Sequence, residues 1–88
     1  MENNEKNGQF QINGYVQISG TDGEGLRIRS GAGRSFSVNF IGLDSELFKI
    51  IEGPIESDDY IWWHIEAPYD NSRNGWCVQN YLSQVETP

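Results

Sequence analysis

Cys77 and His64 are the only thiol and the only imidazole in this 88-residue chain. A cysteine nucleophile needs its histidine base within hydrogen-bond reach, so the pair has meaning only if the fold brings the two together. Metal chemistry has less to draw on. Zinc wants several Cys or His ligands, and two are present. The stretch TDGEG resembles a calcium loop but offers only Asp22 and Glu24. An EF-hand loop needs oxygen ligands at five or six positions between helices. Asp58 and Asp59 are adjacent, and on a strand they would point apart. No metal, no cofactor and no catalytic residue is expected.

The elements that would position any site are strands. Apolar residues recur with period two, as in Val16 and Ile18, Leu26 and Ile28, Phe48 and Ile50, and Trp63 and Ile65. Val38, Ile41 and Leu43 lie in a further strand-like run. Turn-forming clusters separate these runs: SGTDGEG, SGAGRS, LDSE, EGPIESDD and YDNSRNG. Ten glycines suit turns and disfavour helices. Short strands with this punctuation indicate a small antiparallel barrel or sandwich. No ten-residue stretch offers a continuous apolar helical face, so the one helical element expected is a 3-10 turn near Gln79 to Leu82. The polar segment 1–11 is read as a flexible tail, 12–85 as the domain, and 86–88 as a short C-terminal tail.

The stretch GLRIRSGAG admits three readings. A phosphate loop fails, because Phe36 stands where the third glycine of the dinucleotide fingerprint belongs and no helix follows. A basic stripe of Arg27, Arg29 and Arg34 is opposed by thirteen carboxylates free to pair with it. The third reading places Leu26 and Ile28 inward, the arginines outward, and a sharp turn at SGAG.

GLRIRSGAG followed by Phe36 and Val38 resembles the opening of the bacterial SH3-like domain family (SH3b). IIEGPIESDDYIWWHIE is similar to that family's aliphatic run, Gly-Pro, acidic loop and aromatic strand, and GWCVQNYL to its closing Gly-Trp-Val and Tyr-Leu. The resemblance covers about residues 15 to 85. It implies an SH3-like barrel of five to six strands. This chain departs from the pattern at Ala32, where proline is common, and at Ser45, where glycine usually stands. Cys77 replaces an aliphatic residue, and YDNSRN is longer than the usual connection. If Cys77 takes that aliphatic core position it points inward, with Trp76 and Val78 outward. Strand parity sends His64 outward when Trp63 and Ile65 point in, which sets thiol and imidazole on opposite faces.

Six of the eleven aromatic residues fall between Tyr60 and Tyr81. Trp63 is assigned to the core. Trp62 lies on the opposite face, so a one-core barrel leaves it at the water boundary. The resemblance places Trp62 and Tyr81 along a shallow groove, with Phe36 as a third wall or as the anchor of its own loop. Glu56, Asp58 and Asp59 then supply negative charge beside the rings for a cationic group. The implied function is a non-catalytic module that docks a peptide, such as a cell-wall peptide or a neighbouring protein domain. A spacer domain with no ligand is the alternative, and a hydrolase accessory or enzyme fragment the remote one. Proline-rich ligands are not favoured, because Val78 or Gln79 stands where a proline would precede the terminal tyrosine.

Six Lys and Arg against thirteen Asp and Glu give a net charge of -7. That balance opposes nucleic acid, whose binding rests on cations meeting phosphates, and anionic lipid surfaces. No apolar run approaches a membrane span, and residues 1–10 lack the apolar centre of a signal peptide. The resemblance leans to the cell envelope as part of a larger protein. A monomer is favoured.

Overall fold

A computed structural model describes residues 10–86. Residues 1–9 of the expected tail 1–11, and residues 87–88 of the expected C-terminal tail 86–88, lie outside the described residues. The chain is all-β. Its strands are β1 (Tyr15–Ile18), β2 (Leu26–Arg29), β3 (Val38–Gly42), β4 (Leu47–Ser57), β5 (Tyr60–Ala67), β6 (Asp70–Val78) and β7 (Leu82–Val85). A single 3-10 turn, Gln79–Tyr81, joins β6 to β7. The strands form one antiparallel sheet in the order β3-β2-β6-β5-β4-β1-β7, curled into a half-barrel.

Among the described residues seven strands are present where five to six were expected. The addition is β7, with sequence LSQV, of which only Leu82 is buried. It owes its place to backbone pairing with β1, from Tyr15 opposite Val85 to Ile18 opposite Leu82. A pattern search cannot see such a strand. The same holds for YDNSRN, which reads as a loop. Its polar residues from Asp70 onward extend β6, and only Pro68 and Tyr69 turn between β5 and β6. Cross-strand pairing overrides weak local preference at such positions.

The period-two residues make the core. Val16, Ile18, Leu26, Ile28, Phe48, Ile50, Trp63, Ile65, Ala67, Cys77 and Leu82 form one buried cluster. Phe10 packs against it too, its ring 6.2 Å from that of Trp63. Packing therefore reaches back into the segment expected to be a tail. The Trp63 indole N–H donates to Gln79 Oε1 at 3.0 Å, which ties the core to the 3-10 turn.

Two turns set the strand geometry. Ser57 and Tyr60 pair across a two-residue link in which Asp58 (φ 56°) and Asp59 (φ 67°) are both left-handed. That is the type I′ turn whose twist suits a hairpin, and Asp tolerates it better than most residues. Asp58 and Asp59 therefore belong to a turn and not to a strand. In LDSE, Ser45 adopts φ 77°, the conformation that a glycine would take without strain. Glu46 then locks this corner. Its Oε1 accepts from Leu43 N–H at 3.1 Å and its Oε2 from Arg73 Nε and Nη2 at 3.0 and 2.7 Å. The Arg73 guanidinium also lies 4.2 Å from the Phe40 ring centroid.

At Gly75 strands β2 and β6 come close. A Cβ there would stand 2.6 Å from Arg29 O and 2.7 Å from Ile28 Cγ2. Gly75→Ala must push the strands apart, and it is expected to destabilise the fold by about 1–3 kcal/mol. Urea unfolding followed by far-UV circular dichroism measures this, and an unchanged midpoint would refute the close approach.

Candidate functional site

Alternation along β5 puts Trp63, Ile65 and Ala67 on the core face, and Trp62, His64 and Glu66 on the outer face. Cross-strand register carries the outer face onward. Trp62 faces Val78, His64 faces Trp76, Arg29 faces Trp76, and Glu52 faces His64. The result is a row running Arg29, Trp76, His64, Glu52 across β2, β6, β5 and β4.

Parity thus holds, but its expected consequence does not. Trp62, placed at the water boundary from sequence, is only 2% exposed, and Trp76 only 8%. Both indoles on β5 are sealed, one on each side of the sheet. The Trp62 N–H donates to Ser57 O at 2.8 Å, and Tyr60 packs edge-on with ring centroids 6.5 Å apart. Trp76 stacks on His64 at 5.0 Å. The β2–β3 loop crosses to this side and is held there by Arg34 N–H, which donates to Asp58 Oδ2 at 2.7 Å.

Above Trp62 runs a groove of about 600 Å³. One wall is β2 and the loop after it, contributing Arg27, Arg29 and Arg34. The β1–β2 loop contributes Asp22 and Glu24. Tyr60, Val78, Asn80 and Tyr81 complete it, and Trp62 closes the floor. Of the six residues proposed from sequence, Trp62 and Tyr81 line this groove, and Tyr81 is 41% exposed. Phe36, Glu56, Asp58 and Asp59 do not line it. Phe36 lies on its own loop, over Gly31 and Gly33, where a Cβ at Gly31 would come within 2.7 Å of the ring. Asp58 is engaged by the Arg34 backbone, and Asp59 sits beside it in the turn. Glu56 is exposed on β4 opposite Ile61.

The arginines are the part that sequence reasoning set aside, on the expectation that carboxylates would neutralise them. Among the described residues the ion pair is Arg73 with Glu46, and His64 contacts Glu52. Among those residues no Asp or Glu side chain pairs with Arg27, Arg29 or Arg34. Arg29 Nη1 donates instead to the backbone oxygen of Phe36 at 2.9 Å. The signal was present in the LRIR alternation, which puts Arg27 and Arg29 on one face. What the sequence could not show was where the thirteen acids would end up.

The β1–β2 loop is held by Asp44. Its carboxylate accepts from Thr21 N–H at 3.1 Å, Thr21 Oγ1 at 2.9 Å and Gly23 N–H at 3.3 Å. The buried Thr21 hydroxyl also accepts from Gly25 N–H at 3.0 Å. This knot fixes the loop that presents Asp22 and Glu24.

Cys77 is fully buried in the core, and burial pushes its thiol well above the ordinary range. His64 is on the outer face, with Nδ1 3.0 Å from Glu52 Oε1 and Nε2 3.0 Å from Asn74 Oδ1. The two are not a pair. Among the described residues no cluster of three or more His, Cys, Asp or Glu is placed to hold a metal ion. No helix there is long and apolar enough to cross a membrane. Compared with family models, curated proteins and solved structures, the chain matches none.

The hydrogen bonds to Asp44, from the Thr21 amide first and its hydroxyl second, hold the carboxyl below its ordinary value of 3.8. Asp70 is lowered in the same way by the Ser72 hydroxyl and amide. A carboxyl lowered by folding contributes stability that is complete above its ordinary value and is lost as pH falls through the folded-state value. The melting temperature should therefore hold steady above about pH 5 and fall below about pH 4. Asp44→Asn should flatten part of that acid limb. An identical limb in wild type and variant, measured by circular dichroism melts, would contradict the assignment.

Proposed function

We propose that this chain is a non-catalytic binding module that docks a short peptide in the groove above Trp62, as the resemblance to bacterial SH3-like domains implies. The observation that carries the reading is the pairing of a rigid, sealed indole floor with a half-exposed Tyr81 beside it. Trp62 is held by its Ser57 hydrogen bond and by Tyr60, so its side of the groove is formed before a ligand arrives. Pre-formed aromatic surface loses little side-chain entropy on binding.

Charge guides the ligand differently from the sequence expectation. Glu56, Asp58 and Asp59 stand outside the groove, so the carboxylates available to a peptide amine are Asp22 and Glu24 in its lining. An extended peptide with an amino group beside them and apolar contact on Tyr81 fits this set of residues. Cell-wall peptides and segments of a neighbouring domain belong to this class. The groove is shallow, so affinity is expected to be weak, about 10 μM to 1 mM.

Titration of ¹⁵N-labelled protein with soluble muropeptides tests the reading. Shifts should concentrate at Tyr81, Asn80, the Trp62 indole N–H and the loop 20–25. Tyr81→Ala should weaken binding about tenfold, equivalent to about 1.4 kcal/mol, with little change in melting temperature because the ring is half exposed. Spectra in which no groove signal moves with any such peptide would leave the spacer reading in its place.

A further inference from the structure

Half of the chain's cations converge on one groove. Of six Lys and Arg in the sequence, Arg27, Arg29 and Arg34 line it. The protein as a whole is acidic, with net charge -7. Arg27 and Arg34 are exposed, and among the described residues neither guanidinium has a carboxylate partner. Asp58, the acid tied closest to Arg34 in the structure, accepts from the backbone N–H of that residue. Arg29 is fixed by its bond to Phe36 O, which holds one guanidinium in place on this wall. Arg27 and Arg29 are two residues apart on a strand, about 7 Å.

We infer that the arginine wall is an anion subsite, and that the peptide docked in the groove is anchored by a carboxylate held between Arg27 and Arg34. This deepens the peptide-binding reading and rests on it. A carboxylate matches the planar fork of a guanidinium, and a pair of such contacts is charge-assisted and directional. The groove lining also includes Asp22 and Glu24, so it presents both signs of charge. A peptide bearing both an amine and a free carboxylate can meet both, whereas a polyanion brings no cation for the two carboxylates.

The test uses the full chain with two peptides, Ala-Glu-Lys-Ala as the free acid and Ala-Gln-Lys-Ala as its carboxamide. They differ in carboxylates and share the amines. Binding is followed by backbone amides together with the Arg Nε–H signals. The free acid should shift the Arg27 and Arg34 Nε–H signals and bind about tenfold tighter than the carboxamide. Arg27→Gln with Arg34→Gln should erase that preference while leaving the melting temperature unchanged, since both side chains are exposed. Equal binding of the two peptides to the wild type overturns the anion subsite and leaves the groove reading intact. A failure of both peptides to bind overturns it too, and the groove reading then rests on the Tyr81 titration. Oligothymidylate that binds more tightly than the free-acid peptide and shifts the same arginines would replace it with a nucleic-acid site.

Discussion

An indole on the outer face of a sheet has to be hidden from water without being part of the main core, and in this chain that requirement falls on Trp62. Its neighbour Trp63 packs into the core cluster. The solution is a local one. The hairpin that carries Trp62 turns its own Ser57 carbonyl onto the indole N–H, so the polar edge of the ring is satisfied where it is buried. Leaving such a donor unpaired would cost about 1–3 kcal/mol. The type I′ turn at Asp58 and Asp59 brings Ser57 and Tyr60 into register, and Asp58 then draws the β2–β3 loop across by its bond to the Arg34 backbone. Phe36 closes that loop on Gly31 and Gly33, where any larger residue would meet the ring. Turn, loop and ring are thus one arrangement, and the groove is the space left between them and the β1–β2 loop.

The electrostatics follow from this arrangement and not from the total charge. At physiological salt, charges more than about 8 Å apart are largely screened where solvent intervenes. The field in the groove is therefore set by the three arginines and two carboxylates that line it, and much less by the remaining excess of acid. Several of those acids are engaged elsewhere. Asp44 ties Thr21 and Gly23, Asp70 ties Ser72, Glu46 holds Leu43 and Arg73, and Glu52 faces His64. They are structural acceptors for backbone and side-chain donors, which is why they do not neutralise the arginine wall.

The fold was largely legible because its core obeys a period of two. Val16 with Ile18, Leu26 with Ile28, Phe48 with Ile50 and Trp63 with Ile65 each mark a strand and its buried side, and all eight are in the core cluster. The opposite placement of His64 and Cys77 was legible for the same reason. β7 and the start of β6 were not, because β7 buries only Leu82, the start of β6 is polar, and both are placed mainly by cross-strand pairing. The site was legible in part. Trp62 and Tyr81 do border the groove, but Phe36, Glu56, Asp58 and Asp59 serve turn and loop positions or stand outside it, and the arginines took the place given to the acids.

Sequence by itself determined which side of each strand a residue occupies, since adjacent side chains on an extended backbone must point opposite ways. It also determined where the chain can turn and that one thiol and one imidazole cannot meet across the sheet. Only the tertiary structure decided what covers the outer face. Curvature of the sheet and the docking of the β2–β3 loop depend on contacts between residues more than twenty positions apart, such as Arg34 with Asp58. Parity can therefore say that Trp62 points away from the core, but not that the space it points into is closed.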